Sequence, residues 1–420
     1  MKRKIKSWLK SPIILLLFAM LIIFTPQAIY SPGQSRNIGV VVALGIDKVD
    51  DEFEVSLLTF IPKPNQTFKE VDSVVSGKAE NIAQALYNAQ VALGRRVGLS
   101  HVKTTVLSEK LMQEDVTSVV DYLTRLAALS ASTVFVGTNT SAKEILTLSS
   151  KLEDGIGLDL EQVIGFNSDK LFASETSLEE FYQGYYGRSG ASIIAYLPVV
   201  EGEKNAQASV LAEGESAGGA SISENPSQQG EEGSKGGEEK NKYILNTGQS
   251  ILLKKGRMVD KLTLKQMDSI NLINPKTAGE IVRVKDVNIN GEEHDLTYRV
   301  REKNVKTRTK FENGIPVFYA NVQLGMELME INGNHNNVKV RSEYSKLTPE
   351  IIAKIDARLR ADFADALDIL RGHDVDVLGI CDAFFRENRQ KYMTFVKGLE
   401  GEDKFLDEVI IKLNFEIEPN

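Results

Sequence analysis

The chain has 420 residues, 42% hydrophobic and 26% charged, a composition that excludes a wholly disordered or fibrous protein and leaves length for two or three domains. Fifty Lys plus Arg against 58 Asp plus Glu give a net charge of −8, which argues against nucleic acid as a partner because neutralising phosphates needs a basic field. One cysteine, Cys381, and four histidines exclude an intrachain disulfide framework and a Cys-rich metal cluster.

The N-terminus departs from this average. Lys2, Arg3, Lys4, Lys6 and Lys10 precede an unbroken apolar run over 13–24, the basic and apolar parts of an export signal. If the apolar segment extends from Ile13 to Tyr30, it reaches the lower length limit for crossing a bilayer. The basic residues stay inside, so the chain after about residue 31 is expected on the extracytoplasmic side. Pro26, Ala28 and Tyr30 provide no pair of small residues for cleavage, which favours an uncleaved anchor.

Residues 38–46 and 53–61 form two apolar, β-branched runs around an acidic turn at Asp50 and Asp51, a strand–turn–strand signal. Pro62 and Pro64 end the second strand. Helical spacing of Ile82, Ala85, Leu86, Ala89 and Leu93 predicts a helix over 81–93. A strand over 104–107, a helix over 116–129 and a strand over 132–136 complete an alternating pattern that predicts a mixed sheet covered by helices. A short helix over 142–152, a helix over 178–186 and a strand over 192–200 follow.

The composition then changes. The 28 residues of 213–240 hold seven Glu, seven Gly and five Ser with no aromatic residue, which predicts a flexible acidic tether. Order resumes over 243–253, with a turn at Lys254, Lys255 and Gly256 before Met258 and Val259. Strand-like stretches over 296–311 and 315–331 are joined by Asn313-Gly314, a strong hairpin signal. Thr348 and Pro349 open a long helix reaching about Leu370, with Ile351, Ile355, Leu359, Phe363, Ala366 and Leu370 on its inner face. The chain ends in a half-buried strand over 409–417.

The expected fold class is therefore α+β. Mixed sheets with packed helices form an N-terminal unit, and an antiparallel sheet packed on a long helix forms a C-terminal one. The expected boundaries are a signal or anchor over 1–34, an N-terminal domain over 35–200 with a second lobe from about residue 141, an acidic linker over 201–241, and a C-terminal domain over 242–420.

No common catalytic or cofactor constellation is complete: there is no G-x-S-x-G, H-E-x-x-H, Walker loop or strand-linked G-x-G-x-x-G. His101, before the strand at Thr104, is expected to be a buried imidazole, and His294 and His335 to lie exposed in polar turns. His373 with Asp374 and Asp376 is better explained by charge complementarity at a helix C-terminus than by a metal. Cys381 reads as a small apolar filler, Arg125 as an ion-pair partner, and Asp50, Asp51 and Glu52 as a solvated turn. No catalytic, cofactor-binding or metal-ligating residue is assigned, and a binding or assembly protein is expected rather than an enzyme.

The motifs, taken together, resemble a known family. Ser35-Arg36-Asn37-Ile38 and a strand closing in Gly45-Ile46-Asp47-Lys48 are similar to the start of the Ger(x)C spore germination proteins, the C subunits of nutrient germinant receptors. The likeness continues through 77–81, His101, the helix bearing Arg125, Leu197-Pro198, 248–262, the segment 376–380, Lys391-Tyr392 and the final strand. It implies a non-catalytic, membrane-attached receptor component in spore germination, on the outer face of the inner spore membrane beside A and B subunits. One departure concerns the anchor. The family's lipid-bearing cysteine is replaced by Ser31-Pro32-Gly33-Gln34, and a thioether cannot form without a thiol, so the expectation is a transmembrane helix over 13–30. The alternatives are an extracytoplasmic hydrolase of cell-wall or cortex material and a soluble-ligand binding protein.

Overall fold

In a computed structural model the protein is described over residues 38–60, 73–149, 176–201, 221–222, 242–245, 248–274, 281–289, 292–332 and 347–419. The expected anchor over 13–30, Pro62, Pro64, His335 and most of the acidic tether lie outside the described residues.

The α+β expectation holds. A nine-stranded mixed sheet organises the first part, from β1 (Ile38–Val49), β2 (Glu52–Phe60), β3 (Ser73–Ala79), β4 (Arg96–Gly98), β5 (Thr104–Ser108), β6 (Val134–Thr138) and β7 (Ala191–Tyr196). β1 and β2 pair antiparallel through a turn in which Asp50 and Asp51 both take positive φ, the geometry a two-residue hairpin needs and short polar side chains tolerate. β5, β6 and β7 then add in parallel. Parallel neighbours require crossovers, and helices supply them: α1 (Ile82–Leu93), α2 (Glu109–Glu114), α3 (Thr117–Arg125), α4 (Ala142–Ser149) and α5 (Leu178–Tyr186).

The remaining two strands come from beyond the acidic tether. β8 (Val199–Glu201), β9 (Ser221–Ile222) and β10 (Lys242–Leu245) make a small antiparallel sheet, so two residues of the expected tether are strand-paired. The hairpin of β11 (Ser250–Lys254) and β12 (Arg257–Leu262) then returns to the first sheet, with β11 antiparallel to β7. The full order is β12-β11-β7-β6-β5-β1-β2-β3, with β4 also beside β1.

A second unit follows. Its elements are α6 (Leu264–Leu272), β13 (Ile281–Ile289), β14 (Glu292–Glu312), β15 (Ile315–Asn332), α7 (Pro349–Gly372), α8 (Ile380–Val396), a short α9 (Phe405–Glu408) and β16 (Ile410–Pro419). Its sheet runs β13-β14-β15-β16. Asn313 and Gly314 both have positive φ at the β14–β15 turn. The antiparallel expectation fits β13 to β15, but β16 lies parallel to β15. The chain passes through α7 and α8 between those strands, which is the long crossover that parallel pairing requires. All six residues expected on the inner face of α7 are buried.

Three apolar clusters fill the molecule. One face of the nine-stranded sheet packs on α1, α2, α3 and α5 through residues such as Leu44, Leu86, Val120 and Phe181. The opposite face is divided: α4 covers Ala43, Leu58 and Val106 at one end, while Ala191, Leu252 and Leu262 at the other end belong to the core of the second unit. Alternation along β11 makes the join, because Ile251 and Leu253 face the helical layer and Leu252 faces the second unit.

Some elements differ from expectation. The helix over 116–129 ends at Arg125, where Leu126 turns extended and its N–H bonds to the Leu123 carbonyl. The strand over 192–200 breaks into β7 and β8 at Leu197-Pro198, since proline cannot donate to a ladder. His294 is buried: it pairs with Val287 across the β13–β14 hairpin and shares the inward row of Leu296, Tyr298 and Val300. His101 is exposed, and its neighbours Leu99 and Val102 are buried instead.

Candidate interaction surface

The first polar site is built around Asp47, at the end of β1. Its carboxylate is buried and accepts N–H groups from Ala142 at 2.7 Å and Lys143 at 3.1 Å, so it caps the N-terminus of α4 from a distant strand. Burial pushes its carboxyl above the usual range, against the pull of those backbone bonds. Beside it, Lys143 Nζ donates to Glu54 Oε1 and Ser76 Oγ, both at 2.8 Å. Burial alone would raise Glu54, but the hydrogen bonds from Lys143 and Ser76 outweigh it and hold this carboxyl below its ordinary value. These groups tie β1, β2, β3 and α4 together and hold one another, an arrangement suited to structure rather than to catalysis.

The other candidates from the sequence are dispersed. Arg125 is exposed and pairs with Asp121 one turn back. Asp50 and Asp51 are exposed, with Glu52 beside them at the start of β2. Cys381 is buried in the second core, and burial together with the neighbouring Asp376 pushes its thiol well up. Asp376 accepts the Cys381 N–H at 2.6 Å and the Leu378 N–H at 3.1 Å, closing the entry to α8. His373 follows the last turn of α7, with Nε2 3.0 Å from Asp260 on β12. Among the described residues no group of three or more His, Cys, Asp or Glu is placed to hold a metal ion.

His373 and Asp374 belong instead to a polar junction between the two units. Lys254 on β11 donates to the His373 carbonyl at 3.2 Å and lies 3.5 Å from Asp374. Within the second unit, Lys265 on α6 reaches Asp362 on α7 at 2.8 Å and steadies the helix on which the junction rests. Arg188, in the loop between α5 and β7, places its guanidinium 3.3 Å from the Phe385 ring centroid and 2.6 Å from Glu402. Glu402 also accepts the Tyr392 hydroxyl at 2.9 Å. Ser189 donates to the Asp376 carbonyl at 3.0 Å. Polar and apolar contacts thus coincide here, which joins the two sheets firmly.

The exposed side of the helical layer has a different character. On α5, Tyr182 and Tyr186 are 42% and 55% exposed, although their rings meet at 4.6 Å, tilted by 47°, and Tyr185 meets Tyr186 edge-on at 4.8 Å. Tyr185 is fixed by a 2.7 Å hydrogen bond to Thr117 at the start of α3. Tyr87 and Val91 stand one turn apart on the open side of α1. Exposed tyrosines held by their neighbours lose little freedom on contact and bury much area, a combination common at protein interfaces. Sequence reasoning assigned no role to these residues; the usable signal was Tyr182 and Tyr186 at i and i+4 on the polar side of a predicted helix. Arg188 gave no local signal, because its partners lie about 200 residues away.

Comparison with known proteins matches the two units in order. Residues 34–201 match the family described as spore germination protein N-terminal domain, and residues 247–420 match the one described as spore germination B3/GerAC like, C-terminal. The chain belongs to the Ger(x)C family of spore germination proteins. Among solved structures, the crystal structure of the GerBC protein aligns with 89% of this chain and 96% of its own, at 14% identity and a TM-score of 0.47. No curated protein matches. In this Ger(x)C chain the β11–β12 hairpin falls within the second family match yet hydrogen-bonds into the first sheet. Among the described residues no helix is long and apolar enough to cross a membrane.

Proposed function

We propose that this Ger(x)C protein is the C subunit of a nutrient germinant receptor, a non-catalytic scaffold held by a transmembrane helix over 13–30 on the outer face of the inner spore membrane. The observation that carries this reading is the succession of both germination-family matches along 34–201 and 247–420. The geometry supports a scaffold: a shared core and a paired polar junction make one body of two sheets. Its contact with the A and B subunits is assigned to the exposed aromatic side of α5, with Tyr182 and Tyr186 at its centre. Two points support the anchor: the stretch 31–34 has no thiol for a lipid, and a spanning helix attaches more durably than a single acyl chain.

Co-purification from membranes containing the A and B subunits tests the assignment. The full chain is expected to bring down both, and Tyr182→Ala with Tyr186→Ala to lower recovery at least tenfold while leaving the urea midpoint within experimental error. Absence of either subunit from the wild-type eluate would refute the receptor role. A soluble product beginning near residue 31 would refute the anchor.

A further inference from the structure

Among the described residues, the β13–β16 sheet has one face on helices and one face that no element covers. Thr309 marks the covered side of β14, where it bonds Glu387 and Asn388 of α8. Alternation therefore turns Lys306, Arg308 and Lys310 to the open side, where all three are exposed. Lys412 joins them from β16, through the register that pairs it with Tyr319 and Tyr319 with Arg308. Lys412 contacts Glu312 at 3.3 Å and Lys310 acts on the same carboxylate through space, whereas Lys306 and Arg308 form no ion pair among the described residues. The other end of the same face is of mixed sign, with Glu302, Glu416 and Glu418 beside Arg301, which pairs with Glu327. The excess of positive charge thus lies at the Asn313-Gly314 hairpin end, where Glu312 faces Lys306, Arg308, Lys310 and Lys412.

That hairpin end also exposes apolar groups. Ile315 and Ile410 are 47% and 46% exposed, and the Tyr319 ring lies between Arg308 at 5.4 Å and Lys412 at 5.1 Å. Cations in excess over carboxylates beside exposed aliphatic and aromatic side chains are the composition of a surface that meets a bilayer: Lys and Arg attract anionic headgroups, while Tyr and Ile enter the interfacial zone. An acidic protein would account for the charges less well, since lysine is depleted in protein interfaces.

We infer that the hairpin end of this open sheet face, centred on Lys306, Arg308 and Lys310, docks on the anionic phospholipid surface of a membrane. The inference deepens the membrane placement proposed above and rests on it. Each basic residue near such a surface is worth about fivefold in binding, so the three contribute on the order of 100-fold.

Co-sedimentation of the detergent-purified full chain with neutral phosphatidylcholine vesicles, and with vesicles containing phosphatidylglycerol, tests it. The anionic vesicles are expected to bind more tightly at low salt, and the difference to shrink at high salt. In K306Q/R308Q/K310Q the difference falls at least tenfold while neutral-vesicle binding, which reports the 13–30 segment, stays as in wild type. Ile315→Ser with Ile410→Ser weakens binding to anionic vesicles with the charges intact. Loss of neutral-vesicle binding alone would refute the anchor and leave the face in place. An anionic preference that survives the triple substitution assigns it to the basic N-terminus and overturns the inference. So does a triple variant that keeps its lipid preference but loses the A and B subunits, which would make the face a protein contact.

Discussion

Asp47 shows how a short motif acquires its meaning at the scale of single residues. Gly45-Ile46-Asp47 reads locally as the end of a strand, yet the carboxylate serves a helix that begins 95 positions later. The neighbouring Glu54 and Lys143 give this site a pH signature. Because the folded protein holds Glu54 below its ordinary value of 4.5, the stability it contributes is complete above that value and is lost as pH falls through the lower, folded one. Asp47, raised by burial, has the opposite sign: its contribution is complete at low pH and declines as pH rises through its folded value. Glu54→Gln is therefore expected to lower stability at pH 7 and to change it little well below pH 4, flattening the acid limb of the profile. Urea midpoints across pH 3 to 7 measure this; an acid limb as steep as in wild type would show that Glu54 does not set it.

Elements with strong local punctuation were readable, and those without it were not. Asn81 caps α1, Thr348 and Pro349 open α7, and positive φ at Asn313 and Gly314 forms the hairpin, all as their side chains and backbone preferences dictate. Helix α6 also carried a cue, the Thr263–Gln266 capping box, but its nine residues are too few for a clear apolar period. β3 escaped because its alternation is weak in Ser73–Ala79. The reason for Gly77 is visible only in the packed element: an added Cβ would stand 2.3 Å from the Ala89 nitrogen and 2.5 Å from the Ala85 carbonyl oxygen. Strand β3 thus sits directly on the backbone of α1, and backbone cannot rotate away. Gly77→Ala is expected to cost about 1–3 kcal/mol, the usual penalty of overpacking, as a lower denaturation midpoint. A change below 0.5 kcal/mol would mean that the strand shifts freely off the helix.

For the whole molecule, the decisive feature is the hairpin that follows the acidic stretch. By chain position β11 and β12 open the second unit, but by hydrogen bonding they extend the first sheet, and Leu252 projects from it into the second core. Folding of the two units should consequently be coupled. Leu252→Ala is expected to destabilise by about 2–5 kcal/mol, as for other buried leucines, and to split a single calorimetric transition into two. A single transition persisting at the lower midpoint would place the coupling in the polar contacts of Arg188 and Lys254 instead.

The sequence by itself determined the α+β class, the faces of the long helix and the last strand, and the order of motifs that marks the family. These depend on side-chain periods and caps acting within a few residues. Only the tertiary structure decided that the β11–β12 hairpin closes the first sheet, that β16 runs parallel, that His294 is buried while His101 is exposed, and that Lys412 joins Lys306, Arg308 and Lys310 on one sheet face. A period of two states which side of a strand is covered but not which strand lies beside it, and partner choice depends on contacts between residues far apart in the chain. The opening charge of −8 is the clearest case, because one sum over the chain conceals a basic sheet end that strand register alone assembles.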